Sequence, residues 1–317
     1  MGRPDYKMRV PDGFGKLMVV APENENMEFV HMEYLRLRAG ETAEVGRPDR
    51  ECGILLMGGD FTASWADQAR SIRGRKDAFS GLPHCVYVPA GRSVRVLADT
   101  DFEAAIFGTP AEPGGEVGII CPEDIAILDI GENEWEIHGY FVINSEFPAQ
   151  KLIIGETQIP IGHWCSVPPH SHEKEIPGKE SKLEEIYFFK FKPGQGFGFQ
   201  GVYTDDRSLD EGYIIRTNDV VLVPRGYHPN VAGPGYEMRM FWGMGGTSRY
   251  WTPWEDPEAY ARESPVRHVA NIRTPFLILH GTADGAVDWN QGLEFYIAAR
   301  RAGKEVILLS YPDEPHH

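Results

Sequence analysis

No stretch of this 317-residue chain approaches the roughly 18 consecutive apolar residues that a membrane-spanning helix needs. No membrane partner is therefore expected. Basic residues are in deficit, with 31 Lys and Arg against 47 Asp and Glu and a net charge of −16. Binding to phosphate backbones needs clustered cations, so a nucleic-acid partner is excluded from the expectation as well. Cysteine is scarce. Cys52, Cys85, Cys121 and Cys165 are scattered without CxxC spacing, and a chain long enough for two ordinary domains does not depend on disulfides. The opening residues, MGRPDYKMRVPDG, lack the apolar core of a signal peptide. Reduced thiols and a cytoplasmic location are the expectation.

Glycine (35) and proline (24) are plentiful and spread along the chain, as many short strands joined by turns require. Residues 29–37 (FVHMEYLRL), 53–57 (GILLM, ending at Gly58-Gly59), 85–88 (CVYV) and 102–107 (FEAAIF) read as strands without helical periodicity. The same texture returns after about Gly131, in residues 151–154, 186–191, 202–204, 213–216, 220–223 and 238–242. An antiparallel sandwich or barrel is the architecture this pattern favours. An internal duplication is also visible. Residues 85–91 (CVYVPAG) resemble residues 220–226 (VVLVPRG), each a short apolar strand closed by Pro-x-Gly. The second copy continues into Tyr227-His228 and the first into Arg92-Ser93, so only one copy of this repeat is followed by a histidine.

The texture changes near Asp256. The run FLILH (276–280), a helical pattern over 290–302 with Leu293, Tyr296, Ile297 and Ala299 on one face, and the terminal VILLSYP read as a β–α–β unit with a parallel pair. The division expected is 1–130 for a first half without metal, 131–258 for a metal-binding half, and 259–317 for an α/β tail.

His170-Ser171-His172 places two imidazoles two residues apart, and on a strand positions i and i+2 face one side. Glu185 opens the strand EIYFF, and His228 comes after the Pro224-Arg225-Gly226 turn. A lone HxH is more often surface decoration. Three imidazoles and a carboxylate together suit a divalent transition metal, zinc or manganese before iron, cobalt or nickel. Glu184 competes with Glu185 for the carboxylate role; alternation with Tyr187 and Phe189 favours Glu185. Residues 173–182 (EKEIPGKESK) read as a solvated loop over the mouth of the site.

These residues resemble a known family. GHWCSVPPHSHEKE (162–175), LEEIYFFKFKPGQGFGFQGVYTDDRSLDE (183–211) and DVVLVPRGYHPNVAGPGYEMRMFWGMGG (219–246), with DRECGILLMGG, GRKDAF and LPHCVYVPAG earlier, are similar to the 5-deoxy-glucuronate isomerases over about residues 10–258. The resemblance implies an all-β bicupin, two barrel or jelly-roll halves, and an aldose–ketose isomerase turning 5-deoxy-glucuronate into 5-dehydro-2-deoxy-gluconate in inositol breakdown. The related 4-deoxy-5-ketouronate isomerases hold a metal on two His, a Glu and a His, which fall here on His170, His172, Glu185 and His228. Where the GFxFQR expected of the 5-deoxy-glucuronate isomerases carries Arg, this chain has Gly201. Tyr203, Asp205, Asp206 and Glu184 are candidates for the proton-shuttling base, with packing or turn-capping as the ordinary alternative. Arg207, Arg225 and Arg239 are candidates for holding a substrate carboxylate. A deoxy-uronate sugar is the expected partner, with self-association into a homo-oligomer. The alternatives are a non-catalytic sugar-binding cupin and an isomerase of a related deoxy-ketouronate.

The tail, HGTADGAVDW and SYPDEPHH, resembles the end of prolyl-oligopeptidase-type α/β-hydrolases, whose triad Asp and His would fall on Asp284 and His316. No GxSxG elbow occurs in the chain, so hydrolase chemistry is not expected.

Overall fold

A computed structural model describes residues 5–175, 181–249, 265–284 and 289–314. The chain divides into two compact units, Met1–Trp251 and Thr252–His317.

The first unit is built from two strand-rich halves. In the first half, one sheet runs in the order Gly118–Ile120, Cys85–Val88, Arg50–Trp65, Phe102–Pro110, His31–Leu37, Gly15–Val20. Thr42–Val45, Val94–Ala98 and Gln68–Arg75 close it around an apolar interior of Leu35, Ile54, Leu56, Phe61, Val86 and Val96. In the second half, a seven-stranded sheet runs Lys7–Arg9, Asp219–Val223, Leu183–Lys192, Glu237–Gly246, Ile153–Ile159, Ile137–Ile143, Ala126–Ile130. A four-stranded sheet, Trp164–Cys165, Asn230–Ala232, Phe197–Tyr203, Asp210–Arg216, packs against it over Tyr187, Phe189, Val202, Ile215, Val221 and Trp242.

A third core joins the halves. Along Leu183–Lys192, Tyr187 and Phe189 enter the second barrel while Ile186 and Phe188 enter the core between halves, as the two-residue period of a strand dictates. Both faces of this strand are buried, which is why it reads as one apolar run. Large and small residues interlock at this seam: a Cβ on Gly243 would lie 2.5 Å from the Phe107 ring, so the close approach requires glycine.

Pairing makes the duplication explicit. Cys52 pairs with Val88 and Gly108, and Glu185 with Val223 and Met244. The two Pro-x-Gly turns therefore leave corresponding strands. The halves are not sequentially clean, because Lys7–Arg9 and Ala126–Ile130 both hydrogen-bond into the second half's sheet.

One strand differs from the sequence expectation. Gly58-Gly59 does not end a strand; Arg50–Trp65 continues through it with register shifts and crosses from the large sheet into the closing one. Gly59 adopts φ +89°, and a Cβ there would collide with the Asp101 carbonyl, so the glycine bends the strand instead of terminating it.

In the second unit, Phe276–Gly281 and Val306–Tyr311 pair in parallel, and the helix Trp289–Arg301 supplies the crossover. Its packed face runs through Gly292, Phe295, Tyr296 and Ala299, whereas Ile297, expected on that face, is 40% exposed. The i, i+3, i+4, i+7 stripe simply starts one residue earlier than the sequence pattern suggested. The other face of the strand pair exposes Leu277, Leu279, Ile307 and Leu309. Asp284 lies 3.4 Å from His280; His316 lies outside the described residues. Among the described residues, no helix is long and apolar enough to cross a membrane.

Candidate metal centre

The second barrel gathers His170, His172 and His228, with one ring nitrogen from each lying within 4.8 Å of the others. His170 and His172 do not stand on a strand. The strand Trp164–Cys165 ends before them, and Pro168-Pro169 withdraws the two N–H groups that a continuing ladder would use. The segment is tied back to the neighbouring strand where the Leu183 N–H donates to the His172 carbonyl at 2.8 Å. His228 comes after its Pro-x-Gly turn as expected, and Gly226 there has φ +85°.

Two of the imidazoles are held by backbone carbonyls. His172 Nδ1–H donates to Leu183 O at 2.9 Å, and His228 Nδ1–H donates to Gly226 O at 2.8 Å. Those bonds put a hydrogen on Nδ1 of both rings; they leave His228 Nε2 as a bare acceptor, whereas His172 Nε2 faces the Glu185 carboxylate and donates to it when the ring is protonated. Glu185 Oε2 sits 3.2 Å from His172 Nε2 and 3.6 Å from His228 Nε2. The His228 Nε2 is buried without any hydrogen-bond partner. An acceptor lone pair aimed at other acceptors is satisfied by a cation, so this donor set fits a divalent metal.

Protonation agrees. Burial, then the neighbouring His172, lowers His170 to about 4, and burial drives His228 well below the ordinary imidazole value, so both rings are neutral near pH 7. For His172 desolvation pulls downward, but the hydrogen bond and charge of Glu185 prevail and raise it.

The parity question resolves in favour of Glu185, which points into the barrel. Glu184 faces the core between halves, where its carboxylate accepts the backbone N–H groups of Glu28, Phe29 and Val30. The structure does not bring Glu184 to the histidines. Tyr203 lies on the outward parity of Phe197–Tyr203, stacked on Tyr227 at 5.4 Å, with the Arg207 guanidinium over its ring. Asp205 is exposed and lies beside Tyr227, whose hydroxyl its charge holds above the usual range. Asp206 caps its own turn through Thr204 and Ser208. Arg207 and Arg225 are exposed and bonded to Asp210 and Ser208, and Arg239 is buried against Glu156 on the far face of its strand. Residues 173–175 are exposed as a solvated loop would be, while 176–180 lie outside the described residues.

Several interior groups escaped the sequence reading. The Tyr187 hydroxyl is 3.3 Å from Ser166 Oγ. Gln200 and Asn230, cross-strand partners, each bury a side-chain oxygen without a hydrogen-bond partner. Tyr187 stands two residues after Glu185, so alternation could have found it. Gly201 takes the outward parity between Gln200 and Val202, and a Cβ added there would meet nothing nearer than Pro229 at 3.8 Å. An arginine at 201 would point away from the histidines.

This paired-barrel architecture has counterparts among known proteins. Residues 7–261 match the KduI/IolB family. The chain belongs to that family. It is similar to the 5-deoxy-glucuronate isomerase of Geobacillus kaustophilus (strain HTA426), 37% identical over 250 residues that cover 78% of this chain and 91% of the relative. The 5-deoxy-glucuronate isomerase of Bacillus subtilis (strain 168) is 32% identical over 259 residues, or 80% and 95% of the two chains. Among solved structures, an IolB-like protein from Salmonella typhimurium LT2 superposes with a TM-score of 0.76 at 30% identity, covering 82% of this chain and 100% of that one. Lactobacillus farciminis oxalate decarboxylase, at TM-score 0.55 and 14% identity over 86% of this chain and 95% of that one, shares the bicupin fold alone. Residues 235–317 match the prolyl oligopeptidase family.

Proposed function

We propose that this chain is a metal-dependent aldose–ketose isomerase that converts 5-deoxy-glucuronate to 5-dehydro-2-deoxy-gluconate in inositol catabolism, with His170, His172, Glu185 and His228 holding a divalent ion, zinc or manganese first. The observation that carries the reading is the buried, unpartnered Nε2 of His228, facing a second fixed Nε2 and a carboxylate. A bound divalent ion would polarise the sugar's carbonyl and adjacent hydroxyl together.

The protein's own groups supply the rest. The backbone carbonyls hold the His172 and His228 rings in place, so their Nε2 atoms need no reorientation to face the site. Burial, reinforced by the charge of Glu185, keeps the Tyr187 phenol protonated far above neutral pH, so its O–H is a donor to a substrate oxygen. The open acceptors on Gln200 and Asn230 suit sugar hydroxyls. The reading as a non-catalytic sugar-binding cupin leaned on Gly201, and the outward parity of residue 201 withdraws that support.

Elemental analysis and turnover, measured on the parent beside a His170→Ala, His228→Ala double variant, test the proposal. The expected result is about one equivalent of transition metal and isomerisation of 5-deoxy-glucuronate in the parent, both lost in the variant. A parent that stays metal-free after reconstitution, or a variant that still turns over at the parental rate, sinks it.

A further inference from the structure

Two buried glutamates make the same contact in opposite directions. Glu184, from the second half, accepts the N–H groups of Glu28 (2.8 Å), Phe29 (2.7 Å) and Val30 (3.3 Å), immediately before the strand His31–Leu37 of the first half. Glu51, from the first half, accepts those of Gln150 (2.8 Å), Lys151 (2.5 Å) and Leu152 (2.8 Å), immediately before the strand Ile153–Ile159 of the second. The ladders make the two positions correspond, since Glu184 pairs with Gly245 where Glu51 pairs with Thr109. Each half clasps the other with a carboxylate in a cradle of three backbone amides.

The residue after each glutamate differs. Glu51 precedes Cys52, which packs in the apolar interior of the first barrel. Glu184 precedes Glu185, whose carboxylate meets His172 and His228. The same segment of the first half also reaches the residue before the strand, through Glu28 to Lys182 Nζ at 3.4 Å and Phe29 beneath the same ammonium. A strand end is where fraying begins, and here it carries a ligand.

We propose that Glu184 is a positioning residue: its clasp on the amides of residues 28–30 fixes the start of Leu183–Lys192 so that Glu185 presents its carboxylate to the three histidines. The first half, which contributes none of the three clustered histidines, thereby serves the site in the other half. This inference rests on the metal site proposed above.

The duplicated clasp supplies its own control. Glu184→Gln and Glu51→Gln each replace one acceptor oxygen by an NH2 that opposes the backbone donors, so both variants lower the melting temperature. Metal affinity, read by zinc titration against a chromophoric chelator, separates them. Glu184→Gln is expected to weaken zinc by about tenfold, the range of outer partners of metal ligands, and to lower kcat more than it alters KM. Glu51→Gln is expected to bind zinc as the parent does. Equal affinity in Glu184→Gln and parent, or equal weakening in both variants, overturns the positioning role. Should Glu184→Gln not fold, Glu28→Pro removes one donor from the cradle and carries the same expectation. Absence of zinc binding in the parent overturns the metal site itself, and is read before either variant.

Discussion

Replacing Glu156 with glutamine tests how the two halves are held together. Glu156 takes both Nη groups of Arg75, at 2.8 and 2.6 Å, and Nη1 of Arg239 at 2.8 Å. Arg75 comes from the first half and Glu156 and Arg239 from the second, and the side chains are 0–3% exposed. Glutamine keeps the shape and removes the one negative charge, leaving two guanidinium groups buried and mutually repelling. Breaking a buried ion pair by removing one partner destabilises by about 3–5 kcal/mol. At a few degrees per kcal/mol for a chain of this size, the melting temperature should fall by about 10 °C. The assay is thermal unfolding by circular dichroism at fixed metal concentration, because a bound ligand would itself shift the midpoint. The Nε atoms of both arginines are buried without partners, so the network is incompletely satisfied. An apolar replacement of the whole triad, Arg75→Met with Glu156→Leu and Arg239→Met, should therefore recover most of the loss. A melting temperature within about 2 °C of the parent in Glu156→Gln would refute the reasoning, since it would mean that water or a counterion reaches the buried charges.

Three further outcomes come from the geometry. Gly201→Arg should leave turnover of 5-deoxy-glucuronate within about twofold, because residue 201 faces outward; a large gain would place a substrate carboxylate on that face. Metal affinity should fall as pH drops with a slope of about one proton: His170 and His228 are already neutral, whereas the raised His172 must lose its proton on binding. A chelator-competition series between about pH 5 and 8 reads this, and a slope near three would contradict the assignment of neutral ligands. A chain ending at residue 258 should keep metal binding and turnover and gain solubility, since the strand face bearing Leu277, Leu279, Ile307 and Leu309 is removed; gel filtration and kinetics check both.

Strand positions were legible because alternation and Pro-x-Gly turns are local signals. The parity of Glu185 could be read from Tyr187 and Phe189, which share its face. Three things were hidden. Gly58-Gly59 looks like a stop, yet whether a glycine pair ends a strand or bends it depends on what lies beside it, here the Asp101 carbonyl. His170 and His172 were placed on a strand although Pro168-Pro169 cannot join a ladder; the spacing still converged on one site because an extended loop shares the two-residue period. The role of Glu184 depends on amides more than 150 positions away in the chain (|i−j| = 154 to Val30), and nothing local announces such a partner.

The strand Lys7–Arg9 has a consequence for the order in which the molecule can be made. It pairs with residues 219–221, so this strand waits for one that follows it in the chain by 210 positions, from Arg9 to Asp219, before it finds its neighbour. Until then Asp219–Val223, which leads into the turn carrying His228, offers an unpaired edge that another nascent chain could occupy. The second barrel therefore cannot be sealed progressively along the chain. It closes when Lys7–Arg9 returns, and a bulky fusion ahead of that strand would delay that moment without touching His170, His172 or His228.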